Sequence, residues 1–394
     1  MLSKIRLGVV RLWQVSNTTL VLGIIGLLAM LTWRLGSSPS GLSQSEKLTI
    51  NSPNLSSILK NPINLPYRLL QDLLLHINHS IFFSRLTAVI IALVIAVGFY
   101  YMLKGWLGKS IAMLSAILLV TTPYFILAAR SATPAIMYFT PVLILATYYL
   151  VSRRTAENWP ILLLILAVSL SLYLPGMVWI MILVGAACYS NVKNLAVKTE
   201  LNRRAYFYVS LMFIVLLLPL IIGLIAHPSL VKPWLLIPGS FGSIGAIAKS
   251  WAWAIAAFFF QSRQHQTLSI GKLPLLNAAQ VGLIIFGAFV MYSRLRREFL
   301  TITGLVLFAA LLSGLNDNFS VLALVLPLLT VMMAMGLRYL FIEWRHVFPL
   351  NPIAKGFAIG LMSVLVFASV LYGIRYSLIA WPATVAVSHS YVLK

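Results

Sequence analysis

The sequence predicts an all-α polytopic membrane protein, and three observations carry that prediction. Hydrophobic residues make up 61% of the 394 residues and charged residues only 9%, whereas soluble domains carry about 25% charged residues. The mean hydropathy is +0.97. The apolar residues fall in long runs, and about 20 such residues cross the hydrocarbon core as an α-helix. No globular core could bury this much apolar surface, which excludes a water-soluble protein.

The apolar runs predict about eleven transmembrane helices in a single transmembrane domain, residues 1–394. They lie near residues 17–34, 83–103, 110–127, 134–152, 159–173, 175–190, 206–226, 278–293, 299–315, 319–338 and 355–374. The fifth and sixth are separated at Leu174, Pro175 and Gly176, because proline cannot continue the helical hydrogen-bond ladder and glycine turns cheaply. We expect the first helix to be retained, since no small-residue cleavage site follows its basic start.

The basic residues predict the orientation of the chain. Lys and Arg number 29 against 7 Asp and Glu, a formal charge of +22. A dense basic patch would indicate nucleic acid, but these residues lie in short clusters between apolar runs, as the positive-inside rule describes. The clusters on one side are Lys104, Lys109, Arg153, Arg154, Lys193, Lys198, Arg203, Arg204, Arg294, Arg296, Arg297, Arg338, Arg345 and Lys355. We therefore predict a multi-pass cell membrane protein surrounded by membrane lipids, with the N-terminus cytoplasmic and the C-terminus outside, and no nucleic-acid partner.

Two predicted outer segments are too long to be simple connections. Residues 35–82 include an amphipathic stretch, Pro66 to Ile77, which is typical of a helix lying along the membrane surface. Residues 227–277 hold several tryptophans and a run of three phenylalanines, and such residues favour the membrane interface. Both segments are expected to carry interfacial helices.

Few residues can supply chemistry. Cys188 is the single cysteine, so the chain has neither a disulfide nor a cysteine metal site of its own. Of the seven carboxylates, Glu46, Asp72 and Asp317 fall on the predicted outer side. A carboxylate there could serve as a general base or a metal ligand.

Three short stretches point to a family. Glu46 follows the first span and precedes a surface helix; Thr121-Thr122-Pro123-Tyr124 leads to Arg130; and Asp317 precedes a helix with Pro327. Together they resemble the GT-C membrane glycosyltransferases, the superfamily that includes protein O-mannosyltransferases and the aminoarabinose transferase of lipid A. Ser45 stands where that pattern commonly has an aspartate, and Asn318 and Phe319 stand where it often has an arginine and a tyrosine.

The resemblance implies an inverting glycosyltransferase of the cell envelope, which takes a sugar from a polyprenyl phosphate-linked donor and passes it to an acceptor on the non-cytoplasmic side. It implies catalytic carboxylates at Glu46 and Asp317. The cations available for the donor phosphate are Arg130, Arg68, Lys60 and Arg85. Arg130 could instead extend to lipid headgroups.

Two alternatives stay open. Because of Ser45, the protein could be a degenerate, non-catalytic scaffold, and a transporter or flippase of lipid-linked intermediates is a further alternative. The cofactor is unknown; Asp72, His76 and His79 share one helical face and could hold a divalent metal, or they could simply form the polar face of an amphipathic helix.

Overall fold

The structure is a computed structural model that describes residues 16–50, 60–154, 157–190, 193–194, 203–240, 242–260, 270, 272–316, 318–347 and 352–391. Within these ranges every regular element is helical. The α-helices are α1 (Asn17–Thr32), α2 (Gln44–Ile50), α3 (Leu65–Ile77), α4 (Ile81–Leu107), α5 (Lys109–Val120), α6 (Pro123–Ala129), α7 (Pro141–Arg153), α8 (Trp159–Ser171), α9 (Met177–Ala187), α10 (Arg203–Ala226), α11 (Val231–Leu235), α12 (Ile244–Phe259), α13 (Ala278–Arg294), α14 (Arg296–Asn316), α15 (Val325–Val347), α16 (Pro352–Ile374) and α17 (Val385–Ser390). Short 3₁₀ helices at Pro134–Phe139 and Phe319–Leu324 lead into α7 and α15.

The described helices confirm a polytopic membrane fold. Six are long and apolar enough to cross a membrane: Ile81–Leu107, Pro134–Arg153, Phe207–Ala226, Arg296–Asn316, Phe319–Trp344 and Gly356–Ala380. The helices α5 and α6, bent by 68°, make a seventh if counted as one span. The other four predicted spans correspond to shorter apolar helices, α1, α8, α9 and α13. The total of eleven therefore stays a prediction.

The predicted span at 110–127 is not one continuous helix. It breaks between α5 and α6 at Thr121 and Thr122, because Pro123 lacks the N–H of the helical ladder and disfavours helical geometry at the residue before it. Each threonine hydroxyl donates back to a carbonyl of the preceding turn, Thr121 to Ile117 and Thr122 to Leu119. The break bends the chain by 68°, and α6 then leads to Arg130, which contacts the loop after α1.

The centre of the bundle is a close crossing of α13 and α15. A Cβ built on Gly287 would lie 1.8 Å from the carbonyl oxygen of Met332, and one on Gly336 would lie 2.2 Å from that of Leu283. Such approach is available only to glycine, and small residues at crossings are typical of packed membrane helices. Residues 319–324 directly precede the buried helix α15 in the chain, and that helix fixes their position.

The predicted outer segments meet at one end of the bundle, which we call the outer end: residues 33–46, 60–77, 130–133, 174–176, 228–240, 316 and 318–324. Backbone and side-chain hydrogen bonds join them, donor first: Arg130 to Trp33, Asn64 to Tyr173, Gly176 to Trp234, and Asn316 to Leu236. At the opposite end Arg297 donates to the carbonyl of Ala187. The contacts fit the predicted alternation of loops, while the membrane face that each end meets stays a prediction.

Candidate functional site

Glu46, the predicted catalytic carboxylate, is 1% exposed. Its Oε1 accepts from Arg85 Nε at 3.1 Å and from the Ala132 amide at 2.8 Å. Its Oε2 accepts from Arg85 Nη2 at 3.1 Å and from the Ser43 amide at 3.1 Å. A general base needs a lone pair directed at the acceptor hydroxyl. Both oxygens of Glu46 are turned into the protein instead, and this geometry is that of a structural anchor.

Arg85, at the start of α4, holds the loop before α2 in place. Its Nη1 donates to the carbonyls of Leu35 and Pro39 at 3.0 and 3.1 Å, and its Nη2 donates to that of Gly41 at 2.8 Å. The ring of Tyr391 covers the guanidinium at 5.8 Å. With Glu46 added, every nitrogen of Arg85 has a protein acceptor, so a donor phosphate here would have to displace backbone carbonyls.

Arg130 is 8% exposed and closes the end of α1. Its guanidinium donates, at 2.7 to 3.3 Å, to the carbonyls of Met30, Leu31, Trp33 and Ser38. The last carbonyls of a helix lack intrahelical partners, and a cation there also opposes the negative end of the helix dipole. Burial, and then the nearby charge of Arg85, lower the pKa of Arg130 to about 10. The guanidinium of Arg130 therefore points into the protein, and its predicted roles at a donor phosphate or at lipid headgroups stay predictions.

Arg68 and Lys60 are the two predicted phosphate-binding cations with free donors. Arg68, in α3, is half-buried, and its guanidinium makes one hydrogen bond in the described part of the chain, from Nη1 to the Asn61 carbonyl at 3.2 Å. Burial lowers the pKa of Arg68. Lys60 is exposed. Within the described part of the chain, these two side chains can reach an anion at the outer end while the contact of Arg68 to Asn61 is kept.

Asp72 and His76 come together on α3, but His79 does not join them. His76 Nδ1 lies 3.8 Å from Asp72 Oδ1 and 2.8 Å from the Asp72 carbonyl oxygen. The helix ends at Ile77, so His79 lies beyond it. Among the described residues no three His, Cys, Asp or Glu side chains are grouped to hold a metal ion.

Asp317 lies outside the described residues, whereas the next two residues, Asn318 and Phe319, are described. The side chain of Asn318 caps the following 3₁₀ helix by accepting from the Ser320 amide at 3.1 Å. The carbonyl of Phe319 accepts from the Tyr124 hydroxyl at 3.2 Å. Of the two residues, Phe319 therefore joins the outer end to α6, while Asn318 shapes the turn before it.

An open cleft of about 660 Å³ lies beside Asn316 at the outer end. It is lined by Pro238, Gly239, Ser240, Ser250, Gly314, Leu315 and Asn316. Neither Glu46 nor Arg130 contributes to it. Sequence reasoning missed this feature because serine, asparagine and glycine in three separate segments form no recognisable motif. The nearest signal was the unusual length of the outer segment 227–277.

No protein-family model matches the chain, and no curated protein matches its sequence. Its fold, however, is similar to that of ArnT from Cupriavidus metallidurans, an aminoarabinose transferase of the GT-C fold. The apo crystal structure superposes with a TM-score of 0.60 and 12% sequence identity, over 95% of this chain and 78% of ArnT. The structure of ArnT bound to undecaprenyl phosphate gives a TM-score of 0.56 and 12% identity, over 96% and 78%. The predicted fold is thereby confirmed: this chain is an all-α polytopic membrane protein with a fold like that of ArnT.

Proposed function

We propose that the protein binds a polyprenyl phosphate-linked sugar at its outer end and transfers the sugar to an acceptor hydroxyl outside the cytoplasm. The observation that carries the proposal is the match of nearly the whole chain to ArnT, including ArnT solved with undecaprenyl phosphate. That ligand belongs to ArnT, at 12% identity. Its transfer to this chain is our inference.

Arg68 and Lys60 are the residues that we assign to binding the lipid phosphate. A phosphate at the membrane interface is bound most strongly by cations that offer several free N–H donors. Among the described contacts, the guanidinium of Arg68 uses one donor, toward Asn61. Partial burial weakens competition from water and so strengthens the attraction. Arg85 and Arg130 support this site indirectly, because they hold the loop at 33–46 against α4 and α1.

The transfer itself needs a base. The acceptor oxygen forms a bond to the anomeric carbon while the bond from that carbon to the phosphate oxygen breaks, and the lipid phosphate leaves with the bonding electrons. The acceptor proton passes to a carboxylate. Asp72 lies one turn after Arg68 on α3, so the two share a face, and its carboxylate faces only His76 among the described ionic groups. Asp72 and the predicted Asp317 are therefore the carboxylates that we assign to this role, in place of Glu46.

A second candidate is a non-catalytic protein that binds the same lipid phosphate. The closed ion pair of Glu46 with Arg85 favours it, since the carboxylate at the family's acidic position is not available to a substrate. This candidate keeps the phosphate site and loses the transfer step.

Binding and transfer are tested separately on protein in lipid nanodiscs. Native mass spectrometry should show a complex with undecaprenyl phosphate, and Lys60→Ala with Arg68→Ala should remove it. Lys232→Ala is the matched control, because Lys232 is an exposed lysine of the outer end without a side-chain hydrogen bond. Absence of any complex with the wild-type protein overturns both candidates.

Transfer is then measured with a panel of undecaprenyl phosphate-linked monosaccharides. Release of undecaprenyl phosphate that depends on Asp72 or Asp317 supports the transferase. Binding without release of any sugar supports the non-catalytic candidate.

A further inference from the structure

The cleft beside Asn316 is a concave polar surface of the described outer end that the phosphate site at Arg68 and Lys60 does not use. Its walls come from the loop after α11, from α12 and from the last turn of α14. The seven lining residues are two glycines, two serines, one proline, one leucine and Asn316. Among the described residues that line the cleft none is charged, so the described walls offer no cation for a phosphate.

The polar groups in the cleft have free hydrogen-bonding capacity. Asn316 is held in one orientation because its Nδ2 donates to the carbonyls of Leu236 at 2.7 Å and Leu312 at 3.1 Å. Its Oδ1 is left to accept. Within the described chain, the hydroxyls of Ser240 and Ser250 make no hydrogen bond. An oriented amide oxygen with two free hydroxyls offers both acceptors and donors.

Close contacts fix the position of each wall of the cleft. Helices α12 and α14 touch through Gly314, where an added Cβ would lie 2.9 Å from the Ser250 carbonyl carbon. The loop opposite is fixed by the indole of Trp234, which donates to the Leu172 carbonyl at 2.9 Å. Gly239 faces open space, with no atom within 4 Å of a built Cβ. A preformed cleft loses little conformational entropy when it binds a ligand.

We infer that this cleft binds an uncharged, hydroxyl-rich group, namely a saccharide. Hydroxyls, an amide oxygen and backbone groups without any charge match the alternating donors and acceptors of a sugar. The inference rests on the proposed function and deepens it, because the cleft and the Arg68 site lie at the same outer end. Trp234, before the cleft loop, packs against the buried cluster of Leu65, Tyr173 and Leu220, and Leu65 is the first residue of α3.

The test uses wild-type protein in nanodiscs, since sugar-headed detergents would compete. The probes are methyl α-D-glucopyranoside, methyl α-D-mannopyranoside and methyl α-D-galactopyranoside, observed by saturation-transfer difference NMR. At least one probe should give a signal. Gly239→Trp should abolish it by filling the cleft, and Ser250→Ala should weaken binding about threefold to tenfold, the loss of one hydrogen bond. Gly245→Trp is the control, because Gly245 also faces open space but does not line the cleft.

Competition by two lipids distinguishes whether the bound sugar is that of the donor or that of the acceptor. If undecaprenyl phosphate-glucose displaces the bound glycoside and undecaprenyl phosphate alone does not, the cleft holds the donor sugar. If the glycoside signal survives both lipids, the cleft holds the acceptor.

No signal with any glycoside, or a signal that Gly239→Trp leaves unchanged, overturns the cleft inference. Undecaprenyl phosphate would still bind in that case, so the proposed function would stand. The opposite result is also informative. If the protein forms no complex with undecaprenyl phosphate but gives a glycoside signal that Gly239→Trp abolishes, the proposed function is overturned and the cleft inference stands.

Discussion

Arg85 and Glu46 form a buried ion pair, Nε to Oε1 at 3.1 Å, with both side chains 1% exposed. The pair joins the start of α4 to the first turn of α2, and Arg85 also binds three backbone carbonyls of the loop between α1 and α2. Breaking a buried pair leaves one charge without compensation. We therefore expect Glu46 to act through the shape of the outer end, and the variants below test this.

Removal of either partner should destabilise the protein. We expect Glu46→Leu and Arg85→Met each to cost about 3–5 kcal/mol, because each leaves a buried charge or buried carbonyls unpaired. The double variant should cost less than the sum, as thermal unfolding in nanodiscs would measure in a double-mutant cycle.

The exposed pair of Arg154 with Glu157 is the matched control, with side chains 53% and 46% exposed. Its coupling energy should be only about 0.2–1 kcal/mol. A Glu46→Leu variant that is fully stable yet inactive would instead return Glu46 to catalysis.

Arg130 should be required for the attachment of α1. Arg130→Ala leaves the carbonyls of Trp33 and its neighbours without a donor inside the protein, and an unsatisfied buried group costs about 1–3 kcal/mol. Arg130→Lys should recover only part of the stability, since an ammonium cannot span the acceptors that a guanidinium spans. Limited proteolysis between α1 and α2 would report the loosening.

Equal stability of Arg130→Ala and the wild type would contradict this role. In that event the phosphate prediction for Arg130 should be tested again, by lipid binding.

The orientation can be tested by labelling in a Cys188→Ser background. Ser388→Cys, exposed on α17, should react with an impermeant maleimide added outside intact cells, and Glu157→Cys, exposed between α7 and α8, should not. The physical reason is the cost of translocating the basic loops. Both sites should react once the membrane is permeabilised, and the reverse pattern in intact cells would invert the topology.

The crossing of α13 and α15 should depend on its glycines. Gly287→Ala would place a Cβ 1.8 Å from the Met332 carbonyl oxygen, so the helices must separate. Gly282→Ala, on the same helix but with open space around it, should be neutral or slightly stabilising, because alanine is the better helix former by about 1 kcal/mol. Comparing the folded yield and thermal unfolding of the two variants checks this. Similar effects of both would place the helix contact elsewhere.

Hydropathy determined most of the helices directly. The span predicted at 17–34 is observed as Asn17–Thr32 and that at 355–374 as Pro352–Ile374, because about 20 apolar residues have no other stable arrangement in a bilayer. The amphipathic stretch at 66–77 is likewise observed as a helix, Leu65–Ile77. The break at Pro123 was missed, since apolar residues continue across it and average hydropathy is insensitive to one missing hydrogen bond.

The sequence by itself, through composition and short resemblances, determined the membrane class and a fold like that of ArnT, and it named the candidate carboxylates and cations. Only the tertiary structure decided which of them are free. Arg85 lies 39 residues from Glu46, and Arg130 lies 97 residues from Trp33, so no local pattern could reveal that these groups are already paired. A charged side chain in a low-dielectric interior binds the partners that the fold brings within reach, and those partners are fixed by packing over long separations in the chain.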